Sequence, residues 1–324
     1  MSKEMSVPHL KKVRLELDSY SQSLQYHRKY LQKIKAQLKN LSHFSIQKDQ
    51  ALETPRNKKL VHCVLLTFYF NEILERCLAA LLPEKNRIDV TVIENSSVNS
   101  DAIRKVVDLY KKKGLVKNHF IFEHNIGANA FEIAFDSNLL NLNYPFITVT
   151  DGDLIPDKGW LDEQITILNQ CPEVFSVSLE LHLDNASPEL RTRIKKIQTD
   201  VEFKNDLYKE RIAGWVLKTL RTSDWKCFLN YRKTYNIYFH DRSAYDYGKQ
   251  IKRMRSVTTI RSKCYHLTWD YANQNYLKIK GSLKGKTRDP WYHDRYSSFK
   301  LITIEDSEVS FPAPKEVTHQ RIKI

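Results

Sequence analysis

With 324 residues, a formal charge of +14, and 41% hydrophobic against 28% charged residues, the chain has the composition of a globular protein large enough to bury a substantial core. It offers no apolar run near the roughly 18–20 residues that cross a bilayer, and Met1-Ser2-Lys3-Glu4 lacks the apolar centre of a signal peptide. Five cysteines scattered at 63, 77, 171, 227 and 264 without a C-x-x-C pair point to reduced thiols in a cytoplasmic protein and away from structural zinc, while the positive charge asks for an anionic partner.

The first element in chain order is a stripe of Leu10, Val13, Leu17, Tyr20, Leu24, His27, Leu31, Ile34, Leu38 and Leu41, spaced alternately by three and four. That spacing predicts an amphipathic helix over about residues 8–43. Three partners suit its apolar face: the protein's own main domain, a second copy of the chain, or an anionic membrane surface, the last because Lys11, Lys12, Arg14, Arg28, Lys29, Lys33, Lys35 and Lys39 face only Glu16 and Asp18. Residues 45–57, with Pro55, read as a linker, so that 1–55 form one segment, 58–275 the main domain and 276–324 an extension.

The main domain opens on an apolar run, residues 60–67, followed by a helical stretch at 73–82 and a second apolar run at 88–93 that ends in Glu94-Asn95-Ser96-Ser97. A helix over 100–113, a strand over 119–122 and a helix from about Ala130 follow. The alternation is that of β-α-β units and predicts a parallel sheet with helices on both faces, whose ligands gather at the carboxyl ends of the strands. No G-x-G-x-x-G follows the first strand and no G-x-x-x-x-G-K-[ST] occurs, which argues against a dinucleotide dehydrogenase or a P-loop enzyme.

The next strand, Phe146 to Thr150, ends in Asp151-Gly152-Asp153. Two carboxylates at a strand tip are hard oxygen ligands suited to Mg²⁺ or Mn²⁺, although two aspartates around a glycine also make an ordinary turn. A helix over 161–169 and a strand over 174–181 come next; residues 188–220 show helical spacing anchored by Ile194, Ile197, Val201 and Ile212. Residues 225–271 are patterned, 276–300 are basic and aromatic, and the end, with Pro312 and Pro314, reads as an extended tail. The basic residues are spread and carry no helix-turn-helix, zinc-finger or RNP-like pattern, so nucleic acid is not the expected partner.

Taken together, Leu65-Leu66-Thr67-Phe68-Tyr69-Phe70-Asn71, Val92-Ile93-Glu94-Asn95-Ser96-Ser97, His124-Asn125-Ile126-Gly127-Ala128-Asn129 and Thr150-Asp151-Gly152-Asp153-Leu154-Ile155-Pro156 resemble the GT-A glycosyltransferases, the family 2-like group in particular. The likeness is good over about residues 60–182, weaker over 225–271 and absent from the first 55. It implies an α/β fold of the nucleotide-diphospho-sugar transferase type, a mostly parallel sheet flanked by helices, here with an added long N-terminal amphipathic helix. By this resemblance Thr67, Asn71 and Glu94 line the base and ribose pocket, and Asn125 and Gly127 border the nucleotide or sugar. Glu94 would otherwise be a surface carboxylate in a turn and Gly127 a strand terminator.

The resemblance makes Asp151-Gly152-Asp153 the Asp-x-Asp element. Asp153 is then the direct ligand of Mn²⁺ or Mg²⁺, Asp151 binds ribose or reaches the ion through water, and His266 is a third ligand with His293 as its substitute. The family's acidic pair is replaced by Ser243-Ala244, which leaves Asp241 or Asp246 as the base, or a carboxylate elsewhere. The implied activity moves a hexose or N-acetylhexosamine from a nucleotide-diphosphate donor, UDP-linked, to a hydroxyl of a glycan or glycolipid acceptor in bacterial surface polysaccharide or glycoconjugate synthesis. Inversion at the sugar is favoured over retention, and the setting is cytoplasmic, peripheral at the inner face of the cell membrane. A nucleotidyltransferase wants a basic or Gly-rich phosphate loop that residues 68–71 do not supply; a noncatalytic nucleic-acid- or membrane-binding adaptor is the remaining alternative.

The basic helix generates a first prediction. The full chain sediments with liposomes containing anionic lipid and residues 58–324 do so weakly; equal sedimentation of both removes the helix as an anchor.

Overall fold

In a computed structural model of the chain, residues 59–68, 70–95, 100–122, 129–136, 139–199, 203–211, 213–235, 239, 241–270, 298–303 and 308–312 are described. The chain divides into two units, Met1–Arg56 and Asn57–Ile324. The first, with the helix expected over 8–43, lies outside the described residues. Among the described residues no helix is long and apolar enough to cross a membrane.

The second unit is built on one sheet. Its strands in chain order are β1 (Val61–Thr67), β2 (Ile88–Asn95), β3 (Val116–Phe122), β4 (Phe146–Asp151), β5 (Leu154–Pro156), β6 (Val174–Leu181), β7 (Phe203–Lys204), β8 (Tyr208–Glu210), β9 (Lys218–Arg221), β10 (Arg255–His266), β11 (Ser298–Thr303) and β12 (Glu308–Pro312). They lie side by side in the order β12-β11-β3-β2-β1-β4-β9-β6-β10-β8-β7, with β5 paired to β10 off this path.

The pairs β3-β2, β2-β1 and β1-β4 are parallel, as the β-α-β alternation predicts. The second half of the sheet differs from the expectation of a mostly parallel sheet. Strand β9 runs antiparallel to both β4 and β6, while β10 is parallel to β6. Two reversals across β9 restore the direction, so β1, β2, β3, β4, β6 and β10 all end at the same edge. Among its described residues, the region read as helical over 188–220 holds the helix Pro188–Thr199 and then the short strands β7, β8 and β9. Likewise the stretch read as a tail contains β12, which pairs with β11, itself antiparallel to β3.

Strand β1 shows why the interior strands read as unbroken apolar runs. Successive side chains point to opposite faces. Val61, Cys63 and Leu65 enter one core with Leu74, Cys77, Leu78 and Leu81 of the helix Asn71–Leu81, while Val64 enters a second core on the other face. Complete burial of Leu74 or Leu78 contributes about 2 kcal/mol each. The second core is aromatic: Phe135 and Phe228 surround Trp225, and Phe239 stacks on Trp215 with ring centroids 5.4 Å apart. A buried ion pair, Arg232 Nη1 to Glu132 Oε1 at 2.6 Å, ties the helices Asn129–Asp136 and Thr222–Tyr235 across that core.

Strand β10 is irregular. Its register on β6 shifts between Thr258 and Lys263, which frees backbone N–H groups from the ladder. Glu163, on the helix Trp160–Gln170, takes them up: Oε1 accepts from the N–H of Ile260 at 2.9 Å and of Arg261 at 3.0 Å, and Oε2 from that of Ser262 at 2.7 Å. Burial pushes this carboxyl up, but hydrogen bonds from Arg261, Ser262 and Ile260 together outweigh it and hold it below the usual carboxylate range. Just beyond the irregularity the Asp157 carboxylate accepts from the Lys263 N–H at 2.8 Å. The last three residues of β10 are thereby set in register with β5, His266 opposite Leu154.

Replacing Glu163 with Ala takes the acceptor from three N–H groups, of which that of Ser262 is buried, and the expected loss is about 2 kcal/mol of unfolding free energy in urea. A depressed carboxyl stabilises above its unfolded pKa and loses that contribution as pH falls through the folded value, so the difference between wild type and Glu163→Ala shrinks on acidification below about pH 4. A difference that does not change with pH contradicts this account.

Candidate active site

The shared edge of β1, β2, β4, β6 and β10 brings together residues far apart in the chain. Thr67, at the tip of β1, is buried and stands beside Glu94 of β2 in register; on its other side Leu66 is paired with Asp151 of β4. Asn71 begins the helix after β1 and is half-buried.

Between the two aspartates, Gly152 donates its N–H to the Leu66 carbonyl at 2.7 Å. A Cβ there would stand 3.0 Å from the same oxygen and 3.0 Å from Leu65 Cδ2, so a side chain would force the tips of β1 and β4 apart. Asp151 is exposed, and Asp153 leads into β5, which pairs antiparallel with the end of β10.

Asp153 meets His266 there. The Leu267 N–H donates to the Asp153 carbonyl at 2.7 Å, and Asp153 Oδ2 stands 3.5 Å from His266 Nδ1. Thr268 Oγ1 is 2.8 Å from that same nitrogen, and Asn185 donates to the His266 carbonyl at 2.9 Å, fixing the residue from behind. The other Asp153 oxygen, Oδ1, is buried with no hydrogen-bond partner. A buried, unpartnered carboxylate oxygen is costly, and a cation is what offsets the cost. A carboxylate oxygen and an imidazole nitrogen are both suitable donors for Mn²⁺. Among the described residues no set of three His, Cys, Asp or Glu groups stands together.

Glu94 is fully buried at the end of β2, and its Oε2 is 3.1 Å from Nε2 of His119, a β3 residue that is itself buried. His119 was not singled out by the sequence, because one histidine in an apolar strand carries no spacing signal. Asn125, Gly127 and His293 lie outside the described residues.

The two candidate bases have different surroundings. Asp246 is 3% exposed, and both its oxygens accept from Arg242 Nε, each at 3.0 Å, one helical turn away. Asp241 is half-buried at the start of the short helix Asp241–Asp246; its Oδ1 accepts from the Arg242 N–H at 2.7 Å, and its Oδ2 lies against Gly214, where an added Cβ would stand 3.2 Å away. Asp241 therefore borders the segment 213–217 that leads into β9. Ser243 and Ala244 carry no charge, and Ala244 packs in the aromatic core.

Lys218, the first residue of β9, was also missed by the sequence reading. It is 1% exposed, donates to the Ala213 carbonyl at 2.7 Å, and has its ammonium 5.1 Å from the centre of the Trp215 ring. Burial pushes its pKa down to about 8, against the pull of the Asp241 charge.

No protein-family model matches the chain. Three proteins of Acanthamoeba polyphaga mimivirus, each named only as uncharacterized, are similar in sequence: L138 is 32% identical over 260 residues, L142 30% over 245 and L137 30% over 252. The matches cover 77%, 72% and 74% of this chain but 29%, 49% and 34% of those proteins, so the chain spans less than half the length of each. The relatives are viral, whereas the sequence-based expectation was of a bacterial setting. Among solved structures the chain is similar to mannosyltransferase PcManGT from Pyrobaculum calidifontis in complex with GDP-Man and Mn²⁺ (TM-score 0.48, 13% identity, 83% of this chain and 70% of that one). It is also similar to GalNAc-T7 with UDP, GalNAc and Mn²⁺ (0.44, 12%, 73% and 51%) and to S. aureus TarS (0.43, 13%, 71% and 40%).

Proposed function

We propose that the chain transfers a sugar from a nucleoside-diphosphate donor, UDP-linked, to a hydroxyl of a glycan or glycolipid, with a divalent cation held by Asp153 and His266. The observation that carries this reading is the buried, unpartnered Asp153 Oδ1 beside His266, at the edge where six strands end together. Mn²⁺ or Mg²⁺ bound there would neutralise the diphosphate as it leaves. Asp151, exposed one turn earlier, is within reach of a ribose or of an ion-bound water. Thr67, Asn71 and Glu94 hold the nucleoside, with His119 fixing the Glu94 carboxylate; Asn125 and Gly127 border the donor.

For the acceptor, Asp241 suits the work of a general base better than Asp246. Arg242 donates to both oxygens of Asp246 in a buried site, which is a structural pairing. Asp241 lies beside the 213–217 segment and is partly exposed. The acceptor hydroxyl gives its proton to the Asp241 carboxylate, its oxygen bonds to the anomeric carbon, and the carbon–oxygen bond to the diphosphate breaks with its electron pair going to phosphate. Attack from the face opposite the leaving group inverts the anomeric configuration.

Asp153→Ala is expected to abolish Mn²⁺-dependent hydrolysis of, or transfer from, a UDP-sugar; full activity in that variant defeats the metal role. Asp241→Asn should lower kcat by about 10²- to 10⁴-fold with little change in donor KM. Asp246→Asn should instead lower the melting temperature, and the reverse pattern would make Asp246 the base. NMR of the product settles the stereochemistry: a retained configuration rules out direct attack.

A further inference from the structure

The buried lysine is the feature that the roles above leave unused. A lysine almost wholly removed from water is rare, because desolvating an ammonium is costly unless something nearby compensates. Three observations place the compensation at the acceptor side of the site. First, Lys218 opens β9 opposite Val149 of β4, two residues before Asp151, so it stands near the carboxyl edge. Second, its ammonium is enclosed by the segment that precedes it: it donates to the Ala213 carbonyl at 2.7 Å and lies 5.1 Å from the Trp215 ring centre. Third, that segment is the one Asp241 leans on, through Gly214.

The backbone is shaped for this arrangement. Leu217, immediately before Lys218, has φ of +44°, a conformation unusual for a leucine, and the Leu179 N–H accepts the bend by donating to the Val216 carbonyl at 3.0 Å. Ser178 Oγ is 3.5 Å from the Gly214 carbonyl on the β6 side. The reversal at Leu217 lets the chain enter β9 with Lys218 turned back under its own loop.

We propose that Lys218 is a positioning residue for Asp241, its sealed ammonium keeping the Asp241 carboxylate ionised and fastening the 213–217 segment to the sheet beside it. The Asp241 charge acts on the ammonium, against its burial. Of the flanking strands, β4 places Val149 opposite Lys218 and β6 places Ser178 by the Gly214 carbonyl, neither charged; on the 241–246 helix Arg242 pairs with Asp246 through its side chain and donates its backbone N–H to Asp241. The attraction is mutual: it offsets part of the burial that pushes Lys218 down to about 8, and it favours the charged form of Asp241 by the same Coulomb energy. The inference rests on the proposed transferase reading only for the use of Asp241 as base; the pairing itself is a property of the folded chain.

Because the folded pKa of Lys218 is about 8 against 10.5 for the free side chain, the unfolded chain binds more protons between those values, and stability rises with pH across that window. Above pH 8 the ammonium is lost, and with it the hold on Asp241.

The experiment is a carbon-13 NMR titration of the Asp241 carboxyl, assigned with Asp241→Asn, in wild type and Lys218→Met. The expected result is a titration midpoint displaced to higher pH in Lys218→Met; an unchanged midpoint overturns the proposal. Should Lys218→Met fail to fold, the reciprocal measurement decides: in Asp241→Asn the alkaline gain in stability begins at a lower pH than in wild type, and an unmoved onset overturns it. In the transfer assay, Lys218→Met should shift the acid limb of the kcat profile upward with donor KM unchanged, a split that a purely structural loss would not give. Neither the NMR nor the stability readout needs a substrate, so a wild-type chain inactive on every nucleotide sugar would sink the proposed activity while those readouts still decide the pairing.

Discussion

The pairing of β5 with the last three residues of β10 is the constraint on which the site depends. Asp153 and His266 are separated by most of the domain's second half, and neither is placed by its own local sequence. Three residues of antiparallel ladder, with His266 opposite Leu154, put them side by side. Everything that fixes the end of β10 therefore acts on the candidate metal pair: Glu163 gathering the N–H groups of the irregularity, Asp157 holding Lys263, and Asn185 holding the His266 carbonyl. His182 joins the same support, since it is 3.1 Å from the Asp157 carboxylate and stacks on Tyr265.

A second constraint is the insertion of β9. The chain crosses from β4 to β6 through the helix Trp160–Gln170, and the later, short strand β9 is inserted between the two. Because β9 is antiparallel to both neighbours, β6 and β10 still run in the direction of β4. Its other end is fastened by Arg221, whose guanidinium donates to the carbonyls of Val174, Leu168 and Cys171 and so caps the end of the helix Trp160–Gln170. Thr219 in the middle of β9 bonds Thr148 and Gln164. A four-residue strand so tied at its middle and far end can keep a buried ammonium at its beginning.

Much of the first half was legible. The apolar runs that become β1, β2, β4 and β6 are buried on both faces, and such runs announce themselves without help from partners. The second half was less so. Strands β7, β8 and β9 are two to four residues long, too short for a period of two to be told from the i, i+3 spacing of a helix, and the charged stretch around them was read as helical. The inward lysine was illegible for a related reason: one cation in a basic chain gives no sign of which cation is buried. Asp241 and Asp246 looked alike in sequence, and only the helical turn that delivers Arg242 to Asp246 separates them.

By itself the sequence determined the alternation of strands and helices in the first half, the two carboxylates at the tip of β4 and the glycine between them, because each depends on local pattern or on a residue's own chemistry. The tertiary structure alone decided that Asp153 stands beside His266, that Glu94 is bonded to His119, and that Lys218 is sealed under the loop that Asp241 borders. Those juxtapositions arise from register and strand order, which are set by the packing of the whole sheet and leave no mark at any single position.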